Sequence, residues 1–195
     1  FLAKDVAARH PGAPILLDVK SSEAALRLVE SAGAAAQIWK TGHSHMKKRM
    51  KELEAPLAGE MSGHIFIADD YLGFDDAIYA AVRVITQMVK GGQSITEFMD
   101  SLPEQHATPE LRIDCPDTVK FNSMEKIRAH VLSGHDAADV NSIDGVRVRS
   151  GDGWWLIRAS NTEAALVARA EASDRRALDR LLGDIETTLA AAGLD

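Results

Sequence analysis

The chain has 195 residues, of which 46% are hydrophobic and 26% charged, with a formal net charge of −7 at neutral pH. This is the composition of an ordinary globular protein, long enough for one large or two small domains with their own cores. The acidic balance argues against broad nucleic-acid binding, the single Cys115 excludes an internal disulfide, and no apolar run reaches membrane-spanning length. Even the best stretch, Val84 to Val89, is flanked by Arg83 and Lys90. Cysteine usage fits a reducing compartment, so a cytoplasmic location is expected. The chain starts with Phe1 rather than Met, and Lys4, Asp5 and Arg9 interrupt any signal-peptide core, so it is expected to be a piece of something longer.

Residues 1–10 read as the end of a helix stopped by His10-Pro11-Gly12. Ile15–Val19 is a short apolar run, as in a strand buried on both faces, and Ser21-Ser22 offers an N-cap to a helix through Val29. Gln37–Lys40 reads as a second strand, and Met46, Met50 and Leu53 lie at helical spacing after it. Strands are expected around Ala58 and over Ile65–Ala68, after which Asp75-Asp76 open a helix over Ala77–Val89, closed by Gly91-Gly92. This strand–helix alternation is an α/β layer pattern.

A linker is expected over 102–110, where Pro103 and Pro109 fall among polar residues. Beyond it, Leu111–Cys115 reads as a strand and Met124–Leu132 as a helix. Val146–Arg149 and Trp154–Ile157 form a hairpin around Ser150-Gly151-Asp152-Gly153, with one ring of Trp154-Trp155 expected in the core and one at the surface. Ala165–Ala170 is a further strand, and Asp174–Ala192 an amphipathic helix with Leu178, Leu181, Leu182 and Ile185 inward. The second half therefore reads as a small antiparallel α+β domain.

Three polar clusters carry chemistry. Gly59-Glu60-Met61-Ser62-Gly63-His64 gathers a carboxylate, a hydroxyl and an imidazole between two glycines. A carboxylate can accept from two neighbouring hydroxyls at once, which suits a polyhydroxylated ligand; the plain alternative is a solvated loop. Arg158-Ala159-Ser160-Asn161-Thr162 offers a guanidinium fork, two hydroxyls, an amide and backbone N–H groups, a set that suits a phosphate. Its plain alternative is a turn whose side chains cap their own backbone. Lys40-Thr41-Gly42-His43-Ser44 leads into a helix, whose N-terminus favours anions, and its histidine can exchange protons. Lys47, Lys48, Arg49 and Lys51 then read as the exposed helix face. No metal site is expected: His43-x-His45 lacks a third ligand at useful spacing, and Asp69-Asp70 and Asp75-Asp76 read as loop and cap residues.

Taken together and in order, these clusters resemble the α-D-phosphohexomutase superfamily, most closely its bacterial phosphomannomutase/phosphoglucomutase group. The resemblance runs through Asp18-Val19-Lys20, Trp39–Ser44, Lys47–Met50, Gly59–His64, Gly73-Phe74-Asp75-Asp76 and Arg158–Thr162, essentially the whole chain. It implies the third and fourth of four domains: a three-layer α/β/α domain with a mixed sheet over 1–106, carrying the sugar loop, and a small α+β, TATA-box-binding-protein-like domain over 107–195, carrying the phosphate loop. It also implies a reversible shift of phosphate between O1 and O6 of a hexose through a hexose 1,6-bisphosphate, with glucose or mannose 1- and 6-phosphates as ligands. Glu60, Ser62 and Gly42 would bind the sugar, and Lys20 and His43 would serve proton transfer or charge stabilisation. Arg158, Ser160, Asn161 and Thr162 would hold the phosphate that is not reacting. His64 matches the motif, as ligand or as brace of the loop. The family's phosphoserine loop and its Mg²⁺ loop have no counterpart in these residues, so the resemblance places both in N-terminal domains of the parent and makes this part inactive alone. Glu163-Ala164-Ala165 stands where relatives often have a proline, so the exit from the phosphate loop is expected to differ slightly without loss of a donor. The rival reading is a stand-alone, non-catalytic sugar-phosphate-binding module, with neither nucleic acid nor membrane as partner.

Overall fold

A computed structural model describes residues 1–194, which divide into two compact units, residues 1–103 and those from Glu104 onward. In the first unit, helix α1 (Leu2–Arg9) precedes strand β1 (Pro14–Asp18), followed by α2 (Glu23–Ser31), β2 (Ala35–Trp39), α3 (His43–Leu53), β3 (Leu57–Gly59), β4 (Ile65–Ile67), α4 (Ala77–Gly91) and α5 (Ile95–Asp100). The sheet order is β2-β1-β3-β4, with β1 parallel to β2 and β3, and β4 antiparallel to β3. The continuous apolar run of β1 has the expected cause, since its two faces feed two cores. Ile15 joins Val6, Val29, Leu57, Ile67 and Ala80 beneath α1, α2 and α4, while Leu16 packs with Met46, Met50, Ala58 and Phe66 beneath α3. The sheet is thus the middle of three layers.

Caps fix the helix starts. The Ser22 hydroxyl accepts from the Ala24 N–H (3.0 Å), and the Asp76 carboxylate accepts from the Tyr79 N–H (2.9 Å). The short α5 lies outside the expected elements; Ser94 and Glu97 make a reciprocal capping box, and Phe98 is its one buried side chain.

In the second unit β5 (His106–Ala107), β6 (Leu111–Asp114), α6 (Asp117–Gly134), a 3-10 turn (Ala137–Asp139), β7 (Val140–Asn141), β8 (Val146–Ser150), β9 (Gly153–Ala159), β10 (Ala165–Ala172) and α7 (Arg175–Ala191) follow in order. The antiparallel sheet runs β5-β10-β9-β8-β7, and β6 shares the outer edge of β10 with β5. Trp155, Ile157, Val146, Val148, Leu166 and Ala168 meet Ile127, Val131, Leu178, Leu181 and Ile185 of the two long helices in one core.

Three expectations need correction. The linker is shorter than 102–110, because His106 and Ala107 pair with Ala172 and Glu171, and Thr108 exchanges hydrogen bonds with the backbone of Ala170. Helix α6 begins at Asp117 rather than Met124; its first turns bury Lys120 and Ser123, polar residues that break the apolar pattern. Both tryptophan rings are buried, each 1% exposed. On the sheet face away from the helices, the Arg147 guanidinium lies 3.8 Å from the centre of the Trp154 ring, and the indole N–H donates to Glu171 (3.1 Å). A stacked cation and a paired indole cover a ring that alternation alone would leave outside.

Candidate functional site

The parallel strands β1, β2 and β3 end on one edge of their sheet, at Asp18, Trp39 and Gly59, and the antiparallel β4 begins there at Ile65. The carboxyl edge of parallel strands is where open α/β sheets place ligand sites. Three loops meet there, 19–22, 40–42 and 60–64, and a bridge to Phe66 brings Asp75 back beside them from the far end of β4. This topology brings together Lys20, Gly42, His43, Glu60, Ser62 and His64.

The tie between the loops is Asp18, fully buried at the end of β1. Its carboxylate accepts from Ser21 Oγ (2.7 Å), Thr41 Oγ1 (3.1 Å) and the Met61 N–H (3.1 Å), and Lys20 Nζ lies 4.0 Å away. One buried anion thereby holds one group from each of three loops, a use of charge that offsets its desolvation only while those donors are in place. The sequence pattern quotes Asp18 without a role; an aspartate closing an otherwise apolar strand is the signal that would have found it.

Glu60, itself buried, accepts from the Gly42 N–H (2.8 Å) and from Ser62 Oγ (3.3 Å). Gly42 sits at φ +124°, where a side chain would be strained, and that conformation aims its N–H at the carboxylate. Gly63 at φ +94° turns the loop so that the Gly63 N–H donates to the Glu60 carbonyl and the Glu60 N–H to the His64 carbonyl, both at 2.9 Å. The carboxylate is thus fixed in place with acceptor capacity left for further donors.

Asp75 is the second residue missed in the sequence. It does not cap α4, a task left to Asp76. Its carboxylate instead accepts from the Ile65 N–H (3.2 Å) and meets His64 Nδ1 at 2.7 Å, with His43 Nε2 at 3.7 Å from the same oxygen. The His43 and His64 rings pack edge to face at 4.3 Å, and His43 also rests on Phe66. His45, the other half of the discounted pair, is exposed and plays no part in this cluster. Farther back, the Arg49 guanidinium lies 4.4 Å from the centre of the Trp39 ring, and Lys47, Lys48 and Lys51 are exposed as expected.

The second unit's loop lies between β9 and β10. Arg158 is 4% exposed, its Nε donates to Asp144 (3.0 Å), and its Nη2 is buried without a hydrogen-bond partner among the described residues. Lys120, buried at the start of α6, donates to the carbonyls of Ser160 (3.0 Å) and Glu163 (2.9 Å) and pairs with Asp117 (2.6 Å). The Thr162 and Glu163 N–H groups donate to Ser160 Oγ (3.4 and 3.2 Å). This part of the loop therefore adopts the self-capping turn, and those two amides are not turned outward as a nest. The Ser160 hydroxyl keeps its own proton to donate, and Asn161 and Thr162 are exposed. Gly145, at φ +80°, explains the approach of Asp144: a Cβ there would stand 2.3 Å from the Ile157 oxygen and 2.6 Å from Arg158 Cβ. Neither Lys120 nor Asp144-Gly145 figures in the sequence pattern, since their partners lie 40 and 14 residues away.

The profile described as phosphoglucomutase/phosphomannomutase, alpha/beta/alpha domain III, matches residues 1–106, and that of the C-terminal domain of the same enzymes matches 110–188. The chain belongs to the phosphoglucomutase/phosphomannomutase family. It is 43% identical over 189 residues to a phosphomannomutase/phosphoglucomutase of Pseudomonas putida, covering 97% of this chain and 40% of that protein. The chain therefore spans about two fifths of that relative's length. A crystal structure of a phosphoglucomutase/phosphomannomutase family protein from Burkholderia thailandensis superposes with a TM-score of 0.87 at 37% identity, over 99% of this chain and 41% of that one. An Aspergillus fumigatus N-acetylphosphoglucosamine mutase in complex with glucose 1,6-bisphosphate shares the fold at 14% identity and a TM-score of 0.68, over 100% of this chain and 42% of that one. These family matches agree with the α/β and α+β architectures described above. No helix among the described residues is long and apolar enough to cross a membrane.

Proposed function

We propose that this chain supplies the sugar- and phosphate-recognising part of a phosphohexomutase that interconverts hexose 1-phosphates and hexose 6-phosphates of glucose or mannose through a hexose 1,6-bisphosphate. The observation that carries the reading is the convergence, at the carboxyl edge of one sheet, of Glu60, Ser62, Lys20, His43 and His64 on loops tied by Asp18. Glu60 and Ser62 accept and donate to neighbouring sugar hydroxyls. The buried ammonium of Lys20 favours negative charge at the same edge.

The geometry adds a proton-transfer group to the two named from sequence. With Nδ1 of His64 donating to Asp75, its neutral ring carries a lone pair on Nε2. That nitrogen takes the proton of a hydroxyl that attacks phosphorus, and Asp75 steadies the imidazolium that results. His43, packed edge to face against His64, stays as a candidate for charge stabilisation. In the second unit, Arg158, Ser160, Asn161 and Thr162 form a phosphate-binding loop, and the orphaned Arg158 Nη2 favours an added anionic acceptor.

Mg²⁺ belongs to this proposed reaction of the parent enzyme, but the donors here do not fit it. The described residues gather two imidazoles and one carboxylate, whereas Mg²⁺ prefers an octahedron of oxygens. No step is assigned to it in this chain.

Titrating the chain with glucose 1-phosphate and glucose 6-phosphate while following amide NMR shifts tests the reading. Shifts are expected at 59–64 and at 158–162, with weak affinity and no turnover; silence at both loops would remove the recognition role. Turnover by the chain alone would defeat the view that catalysis needs the rest of the parent.

A further inference from the structure

We propose that His43, His64 and Asp75 form a binding site for a divalent transition ion of the zinc class, and that the bound ion blocks the proton transfer assigned above to His64. The metal half stands on geometry alone; the blocking half rests on the proposed function.

The three residues come from three segments: the first turn of α3, the residue before β4, and the loop before α4. Their donor atoms all lie within 4.8 Å of one another. His64 Nδ1 and His43 Nε2 are 2.7 and 3.7 Å from the same Asp75 oxygen. A tetrahedral ion about 2.0–2.1 Å from each ligand holds its ligand atoms roughly 3.3 Å apart. The observed spacings straddle that value, so small side-chain rotations close the site without moving the backbone. Two imidazoles and a carboxylate are a donor set that Zn²⁺, Ni²⁺ and Cu²⁺ take readily and Mg²⁺ does not.

The surroundings favour a metal as well. The Ile65 N–H fixes the other oxygen of Asp75 (3.2 Å), the kind of outer contact that orients a ligating carboxylate. Phe66 seats the His43 ring. The His43 and His64 side chains are 47% and 43% exposed, leaving an ion a way in and a fourth position for water or a substrate oxygen.

The proton count gives the consequence. Free His64 holds its proton on Nδ1, donated to Asp75. Coordination through Nδ1 needs that lone pair, so the proton moves by way of solvent to Nε2, and the ring stays neutral. The nitrogen that would receive the substrate's proton is then already protonated. The ion also takes Asp75 away from its hydrogen bond with His64.

The test uses the chain stripped of metal with chelator and titrated calorimetrically with Zn²⁺ alone, then with Mg²⁺ alone. One Zn²⁺ per chain is expected, with affinity at least tenfold weaker in each of H43Q, H64Q and D75N, unchanged in H45Q, and no saturable Mg²⁺ binding at these residues. Circular dichroism of each variant confirms the fold, and the three independent ligands keep the test decisive if one variant fails to fold. Zinc binding that is absent, or equally tight in H43Q and H64Q, would overturn the site. The His64 proton is then followed by ¹⁵N NMR of the imidazole ring, where saturating Zn²⁺ should move it from Nδ1 to Nε2. Saturation by Zn²⁺ with no proton on Nε2 would remove the blocking role and leave the metal site. Zinc binding in a chain that takes no hexose phosphate would instead sink the functional reading while the site stands.

Discussion

The two loop systems are held by opposite means. In the first unit, three loops at separate strand ends and the segment carrying Asp75 are knitted by carboxylates: Asp18, Glu60 and Asp75 each accept from donors on other segments. In the second, a single connection between neighbouring strands is propped from behind by a cation, Lys120, on two of its own carbonyls. Distant pieces need a shared acceptor to meet at all, whereas a strand-to-strand loop needs only support for the shape it already has. The first arrangement should therefore fail as a whole when one residue is lost, and the second should fail locally.

Replacing Asp18 is the strongest way to test this. Asp18→Ala leaves three donors and a buried lysine without their acceptor, so a loss of about 3–5 kcal/mol is expected. Calorimetry should show it, and amide shifts should move together in loops 19–22, 40–42 and 60–64. Gly145→Ala is the second-unit counterpart, costing at least about 2 kcal/mol through strain at φ +80° and the clash with Ile157 and Arg158. Its shifts should stay within the second unit and weaken binding of inorganic phosphate at 158–162; spread to 60–64 would break the comparison. Lys120→Met comes next, costing about 1–3 kcal/mol, with phosphate affinity down about tenfold. A chain that binds phosphate normally without Lys120 would show that the prop is unnecessary.

Acid supplies the smallest effect, nil at neutral pH. At the other end of the first sheet, buried Asp69 meets His10 (2.7 Å), Arg83 (2.7 Å) and Arg9. Burial there works against ionisation, but His10, Arg83 and Arg9 prevail and bring its pKa from 3.8 down to about 2. A depressed carboxyl adds stability that is complete above its unfolded value and is lost as pH falls through the folded one. The first unit should thus weaken between about pH 4 and pH 2, seen as earlier amide-exchange loss there than in the second unit. Asp69→Asn should shrink that acid loss, with Asp5 and Asp76, also held below the usual carboxylate range, supplying the remainder.

Much of this architecture was legible from residue order. The apolar run Ile15–Val19, the caps at Ser22 and Asp76, and the turn between Ser150 and Gly153 each declare a local element, and the structure has all of them. What escaped was non-local. Lys120 and Ser123 are polar yet buried, because the lysine's partners come from a loop 40 residues on. Trp154 lies inside because Arg147 and Glu171, on neighbouring strands, complete its surroundings. In the site, Glu60 and Ser62 were visible as a cluster, but Asp75 looked like a cap. Only the bridge that sets it beside Phe66 brings it to His64.

The tryptophans have a practical consequence. Of the three in the chain, Trp39 alone belongs to the first unit, ending the strand that runs into Lys40–His43 under the Arg49 guanidinium. Trp154 and Trp155 are shut inside the second unit. Intrinsic fluorescence therefore comes with the two units labelled separately. Excited at the red edge, where only tryptophan absorbs, a Trp39→Phe chain emits from the second unit alone, and the difference spectrum against the unsubstituted chain isolates an emitter one residue from loop 40–42.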